Sequence, residues 1–315
     1  MNKGVIVKST GKFYHIRAES DGKVHVGTIR GKFKLDGLKL TNPVAVGDEV
    51  TYRDVDDESV VITDIAPRKN YVVRQSPRKK HYLHLLASNV DQAILIVTIV
   101  EPKLKQGFID RFLLMTEPYD IPVTIVFNKS DLYDDGDRNV YHYLKEIYEN
   151  IGYQVLLTSS IKGDGIETLR QHLHEKVSLI SGQSGVGKSS LVNRLEPSVN
   201  LRTADLSDYS GKGQHTTTFA EMHRLSAGGS IIDTPGIKTL SYNHFEVMDV
   251  AHNFKEFFAT SKHCKYRDCT HRNEPGCAVK KAIESGEISE LRYFNYIQIL
   301  EEVENQNYWE RIKDY

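Results

Sequence analysis

Apolar and polar residues alternate in short runs through residues 1–66 of the chain. Gly4–Lys8, Lys12–Arg17, Val24–Ile29, Glu49–Arg53 and Val60–Ile65 read as half-buried strands, with Gly11, Asp21-Gly22, Gly37 and Gly47-Asp48 as turns between them. Five strands in so small a unit predict a β-barrel of the OB-fold type. Residues 67–88 break the pattern and read as a basic linker. From residue 89 to 242 the period changes. Apolar runs at Gln92–Val100, Val123–Phe127, Gln154–Leu157, Val177–Ile180 and Ile231–Ile232 alternate with helical segments at Ile109–Glu117, Tyr141–Asn150, Ile166–His174 and Ser189–Leu195. That alternation predicts an α/β domain with a mainly parallel sheet covered on both faces. Residues 243–315 are polar and helical, and their last helix carries Leu291, Phe294, Ile297, Leu300 and Val303 as a packing stripe.

Composition narrows the class. With 39% hydrophobic and 26% charged residues the chain has the balance of a folded globular protein, not of a disordered one. No apolar run approaches the ~18 residues needed to span a bilayer. The first twelve residues, MNKGVIVKSTGK, lack the apolar core of a secretory signal, so a cytoplasmic location without membrane attachment is expected.

The net charge of −1 hides segregation. Residues 1–40 hold nine Lys/Arg against three Asp/Glu, and residues 41–66 hold one against seven. Pro67–His81 carries Arg68, Lys69, Arg74, Arg78, Lys79 and Lys80 with no acid. Segregated cations can present a surface to a polyanion, although any one such segment can equally be a solvated face.

Gly182, Gln183, Ser184, Gly185, Val186, Gly187, Lys188 and Ser189 match G-x-x-x-x-G-K-[ST] at every fixed position, after a strand and before a helix. Glycines let backbone N–H groups face a phosphate, and the helix N-terminus adds partial positive charge. Lys188 is expected on the terminal phosphates as a catalytic cation, and Ser189 on Mg²⁺, with Ser190 beside it at the start of the helix. Asn128, Lys129, Ser130 and Asp131 end a strand and match the N-K-x-D guanine motif. A carboxylate at Asp131 can accept from both N1–H and the 2-amino group of guanine, an arrangement that adenine lacks. Thr158, Ser159 and Ser160 follow the next strand and resemble the loop whose backbone contacts guanine O6.

Asp233-Thr234-Pro235-Gly236 fits D-x-x-G, with Asp233 expected to hold Mg²⁺ through water and the Gly236 N–H to sense the γ-phosphate. Between these motifs lies Gly211-Lys212-Gly213-Gln214-His215-Thr216-Thr217-Thr218, suited to a switch loop. Thr217 is expected to complete the Mg²⁺ shell. Ile237 stands where many GTPases place a water-orienting Gln, so His215 is the expected catalytic substitute, set against the alternative of an exposed loop histidine. The guanine motif precedes the phosphate loop, the reverse of the usual order. The domain therefore reads as circularly permuted.

All three cysteines fall in Cys264-x₄-Cys269-x-His271-x₅-Cys277. Three thiolates and one imidazole with no fifth candidate predict one closed, structural Zn²⁺ site. Such a site contributes roughly 10–16 kcal/mol of apparent folding free energy. Lys262, Lys265, Arg267 and Arg272 surround it and are candidates for RNA phosphate, or simply solvated.

Barrel, permuted motifs, Gly-Lys-Gly-Gln-His-Thr-Thr-Thr and cysteine knuckle together resemble the RsgA family of circularly permuted GTPases over essentially the whole chain. The resemblance implies a GTPase stimulated by the small ribosomal subunit, acting late in that subunit's maturation, with barrel and zinc unit touching rRNA. GTP and GDP are the expected ligands, with Mg²⁺ beside the nucleotide, and the chain is expected to be a monomer. Two other classes compete: a nucleotide-gated RNA-binding module with little catalytic role, and a P-loop phosphotransferase. N-K-x-D and D-x-x-G argue against the phosphotransferase.

Overall fold

The computed structural model describes residues 1–29, 40–55, 59–75, 82–201, 220–234 and 245–313. Strands β1 (Asn2–Ser9), β2 (Tyr14–Ala18), β3 (Val24–Ile29), β4 (Glu49–Asp54) and β5 (Ser59–Ile65) form the first unit. Their order is β1-β2-β3-β5-β4, and β4 returns to pair with β1, so the ring of described strands closes on itself. Alternate residues point inward: Ile6, Ile16, Tyr52 and Ile62 are all fully buried.

The described parts of the segment expected as a linker, residues 67–75 and 82–88, are structured. β6 (Tyr71–Gln75) and β7 (Leu83–Ser88) form an antiparallel hairpin with Val72, Val73, Leu85 and Ala87 buried. Its abundant cations mask a short apolar run whose partner strand lies further along. Arg68 is no solvated cation either. Its Nε and Nη2 each lie 2.6 Å from the buried Asp48 carboxylate, which also accepts from Ser88 Oγ at 2.6 Å and Ala45 N at 2.8 Å. One fully satisfied ion pair thus ties barrel to hairpin. Arg78, Lys79 and Lys80 lie outside the described residues.

The α/β unit comprises β8 (Gln92–Val97), α1 (Phe108–Thr116), β9 (Val123–Phe127), α2 (Asp135–Asn150), β10 (Gln154–Leu157), α3 (Ile166–Leu173), β11 (Val177–Gly182), α4 (Lys188–Leu195), β12 (Glu221–Arg224) and β13 (Ser230–Asp233). The parallel order β10-β9-β8-β11-β13 is flanked by β12, antiparallel to β13. Ile94, Ile96, Val126 and Ile180 pack against α3 and α4, whereas Leu95, Val97, Ile125 and Phe127 face the larger core with α1 and α2. The run of apolar residues on each central strand follows from burial on both faces. α2 begins at Asp134, whose side chain accepts from Asp137 N at 2.8 Å while Asp137 reciprocates at 3.1 Å. β12 had no sequence signal. It pairs with β1 at Lys8↔Glu221, joining barrel and α/β sheet into one eleven-stranded sheet.

Helices α5 (Val247–Asn253), α6 (Lys255–Ser261), α7 (Ala278–Glu284) and α8 (Glu290–Lys313) make the last unit. The buried face of α8 is rotated from the expected stripe: Phe294 is 55% exposed, while Arg292, Asn295, Tyr296 and Ile299 are buried with Leu300 and Val303. The cause is a polar network. Arg292 Nη1 donates to Asp110 Oδ1 at 2.6 Å, and its Nε and Nη2 donate to Glu256 at 2.7 and 3.0 Å. Tyr148 Oη donates to the same Asp110 oxygen at 2.6 Å, and Asn295 Nδ2 donates to the other. Phe254 lies under the guanidinium, 4.4 Å from ring centroid to Cζ. The α/β unit and the helical unit are thereby locked through α1, α6 and α8.

Removing one partner from such a buried network leaves an uncompensated charge, at a cost of about 3–5 kcal/mol. Arg292→Met is expected to lower stability by that amount in chemical denaturation. Combining it with Asp110→Asn and Glu256→Gln is expected to recover most of the loss; no recovery would place the cost in packing.

Candidate nucleotide site and metal centre

Register sets the nucleotide site. In the central sheet Val126 pairs with Ile96, and Ile96 pairs with Gly182, so the ends of β9, β8 and β11 lie in one row. The residues following β9 and β11 therefore emerge side by side. Asn128 is fully buried there, and its Nδ2 donates to the Val186 carbonyl of the phosphate loop at 3.0 Å. Thr158 Oγ1 donates to Asn128 Oδ1 at 3.1 Å, and Tyr133 Oη donates to the Asn128 carbonyl at 2.9 Å. Its amide nitrogen thus braces the phosphate loop, while Thr158 and Tyr133 hold its two oxygens. Gly187 has φ +88°, and a Cβ there would run into Asn128 Nδ2; Gly182 is similarly held against the Ile96 carbonyl. Only glycine permits either approach.

The other guanine-motif residues gather around the same point. Ser130 N donates to the Thr158 carbonyl at 3.1 Å. Asp131 Oδ1 accepts from Ser159 Oγ at 2.5 Å, and Ser159 Oγ accepts from Lys162 N at 3.0 Å. Ser159 is buried and Ser160 half-buried beside it. Lys129 takes a left-handed conformation, φ +64°, and its Nζ donates to the Glu101 carbonyl at 2.5 Å. Burial pushes the Lys129 ammonium below its ordinary pKa. These contacts gather polar groups around Asp131, whose carboxylate is half-exposed.

On the phosphate side, Lys188 Nζ donates to the Gly182 and Gln183 carbonyls at 2.9 and 2.6 Å. Burial pulls its pKa down to about 8, opposed by the negative charge of Asp233. A polyanion close by would offset that desolvation and favour the ammonium. Ser184 and Gly185 are exposed, and Ser189 and Ser190 open α4 just beyond Lys188. Ser181 Oγ and Gln183 Oε1 are buried without a hydrogen-bond partner among the described residues, unspent polar capacity beside the loop. Asp233 ends β13 in register with Ile180 of β11, and Thr234 Oγ1 donates to the Ile180 carbonyl at 3.1 Å. Asp233 thus lies at the same end of the sheet as the loop that follows β11. His215, Thr217 and Gly236 lie outside the described residues.

Sequence reasoning missed Tyr133 and the side-chain role of Thr158. Both adjoin recognisable motifs, but the bonds they make depend on sheet register.

Cys264, Cys269, His271 and Cys277 converge, their ligand atoms all within 4.8 Å of one another. His271 Nδ1 lies 3.5 Å from Cys277 Sγ and 3.8 Å from Cys264 Sγ. Tetrahedral bonds of about 2.0–2.3 Å to nitrogen and sulfur require edges of this length. Burial pushes the Cys269 thiol up to about 12 and pulls His271 down. The first is unfavourable for a thiolate unless a cation is present; the second keeps the imidazole in its ligand form. Backbone N–H groups of Ala278 and Lys280 point at Cys264 and Cys277 sulfur at 3.3 and 3.5 Å. The donor set fits a divalent metal. The knuckle is pinned to α8 by Tyr293 and Tyr296, which donate to the His271 and Thr270 carbonyls, each at 2.9 Å. Arg272 is not a free cation as expected: it forms a bidentate pair with Glu304 at 2.8 and 2.9 Å.

An OB-type barrel, a parallel α/β domain whose guanine motif precedes its phosphate loop, and a Cys₃His knuckle define a circularly permuted P-loop GTPase fold. Models of the RsgA N-terminal domain and the RsgA GTPase match residues 3–62 and 65–243. The chain is 44% identical over 306 residues to the small ribosomal subunit biogenesis GTPase RsgA of Bacteroides fragilis, covering 97% of this chain and 98% of that protein. The protein of the same name from Phocaeicola vulgatus is 45% identical with the same coverage. Among solved structures, YjeQ from Thermotoga maritima superposes with TM-score 0.77 at 36% identity, over 96% of this chain and 98% of that one. YloQ, described as a circularly permuted GTPase, gives 0.72 at 31%, over 96% and 95%. The chain belongs to the RsgA GTPase family.

Protein purified without added metal is expected to carry one tightly held metal ion per chain, released by a thiol-modifying reagent and missing from a Cys264→Ser/Cys269→Ser variant. Elemental analysis checks this; a well-folded, metal-free wild type removes the assignment.

Proposed function

We propose that this protein hydrolyses GTP to GDP and phosphate, is stimulated by the small ribosomal subunit, and acts in late maturation of that subunit through rRNA contacts. The observation that carries the reading is the bond from Asn128 Nδ2 to the Val186 carbonyl, which joins the guanine-motif residues directly to the phosphate-loop motif and so supports one shared nucleotide site. Asp131 would accept from guanine N1–H and the 2-amino group, while Lys129 covers the ring face. Ser159 and Ser160 would border O6, with Ser159 Oγ also steadying Asp131. Lys188 and the N–H groups of residues 183–190 would take the phosphates. Mg²⁺ fits Ser189 and Asp233, with Thr217 completing its shell, and the knuckle metal is Zn²⁺ in a structural role.

In the reaction, water attacks the γ-phosphorus, the bond to the β-phosphate oxygen breaks, and the water's proton leaves to solvent or a base. Preorganised positive charge stabilises the transferring group. With Ile237 in place of a water-orienting Gln, unassisted turnover is expected on the order of 10⁻⁴ to 10⁻² s⁻¹. His215 would orient the water when its loop closes, and Gly236 would sense the γ-phosphate. Among the described residues no helix is long and apolar enough to cross a membrane. A cytoplasmic monomer divided at residues 1–66, 67–88, 89–242 and 243–315 is the matching proposal, the second division containing the β6–β7 hairpin.

A GTPase assay with purified small subunits, and large subunits as control, tests the reading: stimulation specific to small subunits is expected, and equal turnover with either sinks it. His215→Ala is expected to keep GTP binding and subunit association while losing most of the stimulation. Full stimulation in that variant would assign the water to another group.

Asp131→Asn is expected to lose GTP affinity and gain affinity for xanthosine triphosphate, whose 2-oxo group accepts where guanine donates. Competition binding measures both. Unchanged GTP preference would remove Asp131 from the base site.

A further inference from the structure

Where β1 meets β12, a cleft of about 450 Å³ opens between the barrel and the outer edge of the α/β sheet. The barrel contributes Lys8, His15 and Arg17 to its wall, and β12 contributes Glu221, His223 and Arg224. Sheet register explains the grouping. Lys8 pairs with His15 of β2 on one side and with Glu221 of β12 on the other. Two-residue periodicity then puts Arg17 on the face of His15, and His223 on that of Glu221; Arg224, exposed on the alternate face at the end of β12, also lines the cleft.

The charge does not cancel. Glu221 is the one carboxylate among these six residues, and Lys8 Nζ holds it at 2.7 Å. Arg17 and Arg224 have no ion-pair partner among the described residues. They also lie close enough that burial and the Arg224 charge together press the Arg17 guanidinium below its ordinary pKa. His223 is half-buried, and burial pulls it toward the neutral form, able to accept or donate one hydrogen bond. Val24, 50% exposed, and Val199 add apolar wall. Like charges held together with no counterion among the described residues stabilise the fold poorly, so the arrangement is suited to a ligand that supplies the anion. Regular anions joined by apolar sugar edges match two guanidiniums beside valines better than a compact ion does.

We propose that this cleft binds the phosphate backbone of a single-stranded RNA segment, with Arg17 and Arg224 as its phosphate donors. The proposal rests on the rRNA contact proposed for the protein's function and locates one such contact across two domains.

The test uses full-length protein and a short, labelled single-stranded RNA of mixed sequence, titrated at several salt concentrations. Arg17→Glu/Arg224→Glu is expected to weaken binding about ten-fold or more and to flatten log affinity against log salt by about 0.7 for each phosphate no longer neutralised. Arg17→Gln/Arg224→Gln, which removes charge without reversing it, is expected to flatten the slope equally if the reversal misfolds the barrel. Binding of labelled GDP is expected to be unchanged in both. Arg138→Glu/Lys145→Glu on α2 matches the charge change elsewhere and is expected to have little effect. Equal weakening in that control, unchanged affinity and slope in the cleft variants, or displacement of RNA by tripolyphosphate at equal phosphate concentration each overturns the proposal. Failure of small subunits to stimulate the wild type would sink the functional reading while leaving the oligonucleotide result standing.

Discussion

The hydrogen bond from Asn128 to the Val186 carbonyl spans 58 positions of sequence, and the nucleotide site depends on it. In a permuted chain the guanine motif is made before the phosphate loop exists, so nothing local brings the two together. Parallel pairing of β8 with both β9 and β11 does so, and Asn128 converts that proximity into a fixed distance. Gly182 and Gly187 then become obligatory, because a Cβ at either would push the two segments apart. A single amide thus links base specificity to phosphate geometry. A buried Asn with all its polar edges satisfied has little freedom to do otherwise.

A second constraint acts from the opposite side. Asp110 lies on the helix between β8 and β9, and Arg292 on the long final helix reaches it through a sealed network. Beyond it, Tyr293 and Tyr296 of the same helix hold the metal knuckle. The knuckle is therefore a rigid extension of the nucleotide domain, not a tethered appendage. Ion pairs of this sort contribute little net stability but fix which surfaces meet. Here they fix the orientation of a metal unit relative to a guanine slot.

How much of this the sequence disclosed depended on whether the determinant was local. A phosphate-loop motif sits in one contiguous run, so the strand-to-helix turn at residues 182–189 was legible at once, as was the convergence of the four knuckle residues. β-strands buried on both faces announced themselves by unbroken apolar runs. β12 did not, since four residues reading Glu-Met-His-Arg carry no strand period. The β6–β7 hairpin was hidden because its apolar positions are short and separated by charges. On α8 the apolar spacing suggested a face through Phe294, yet the helix is turned so that Arg292 and Asn295 point inward. No periodicity argument can find that, because its cause lies some 180 residues earlier at Asp110. Asp48 and Arg68 teach the same lesson: a cation counted as surface charge was structural.

β12 carries the remaining consequence. Its Glu221 pairs with Asp233 on one edge and with Lys8 of the barrel on the other. Four rungs tie it to β13, but only one ties it to β1. Antiparallel ladders shear as units, because sliding by one residue would send every side chain to the wrong face. A displacement at the Asp233 end would therefore be carried along β12 to its single rung with the barrel, Lys8–Glu221. That join lies at the rim of the cationic cleft, between Arg17 on the barrel and Arg224 on the sheet. An anion bridging the two guanidiniums would add a second tie across it and stiffen the path. The barrel's Lys8 and the sheet's Asp233 thus face the same residue, Glu221, from opposite edges of one strand.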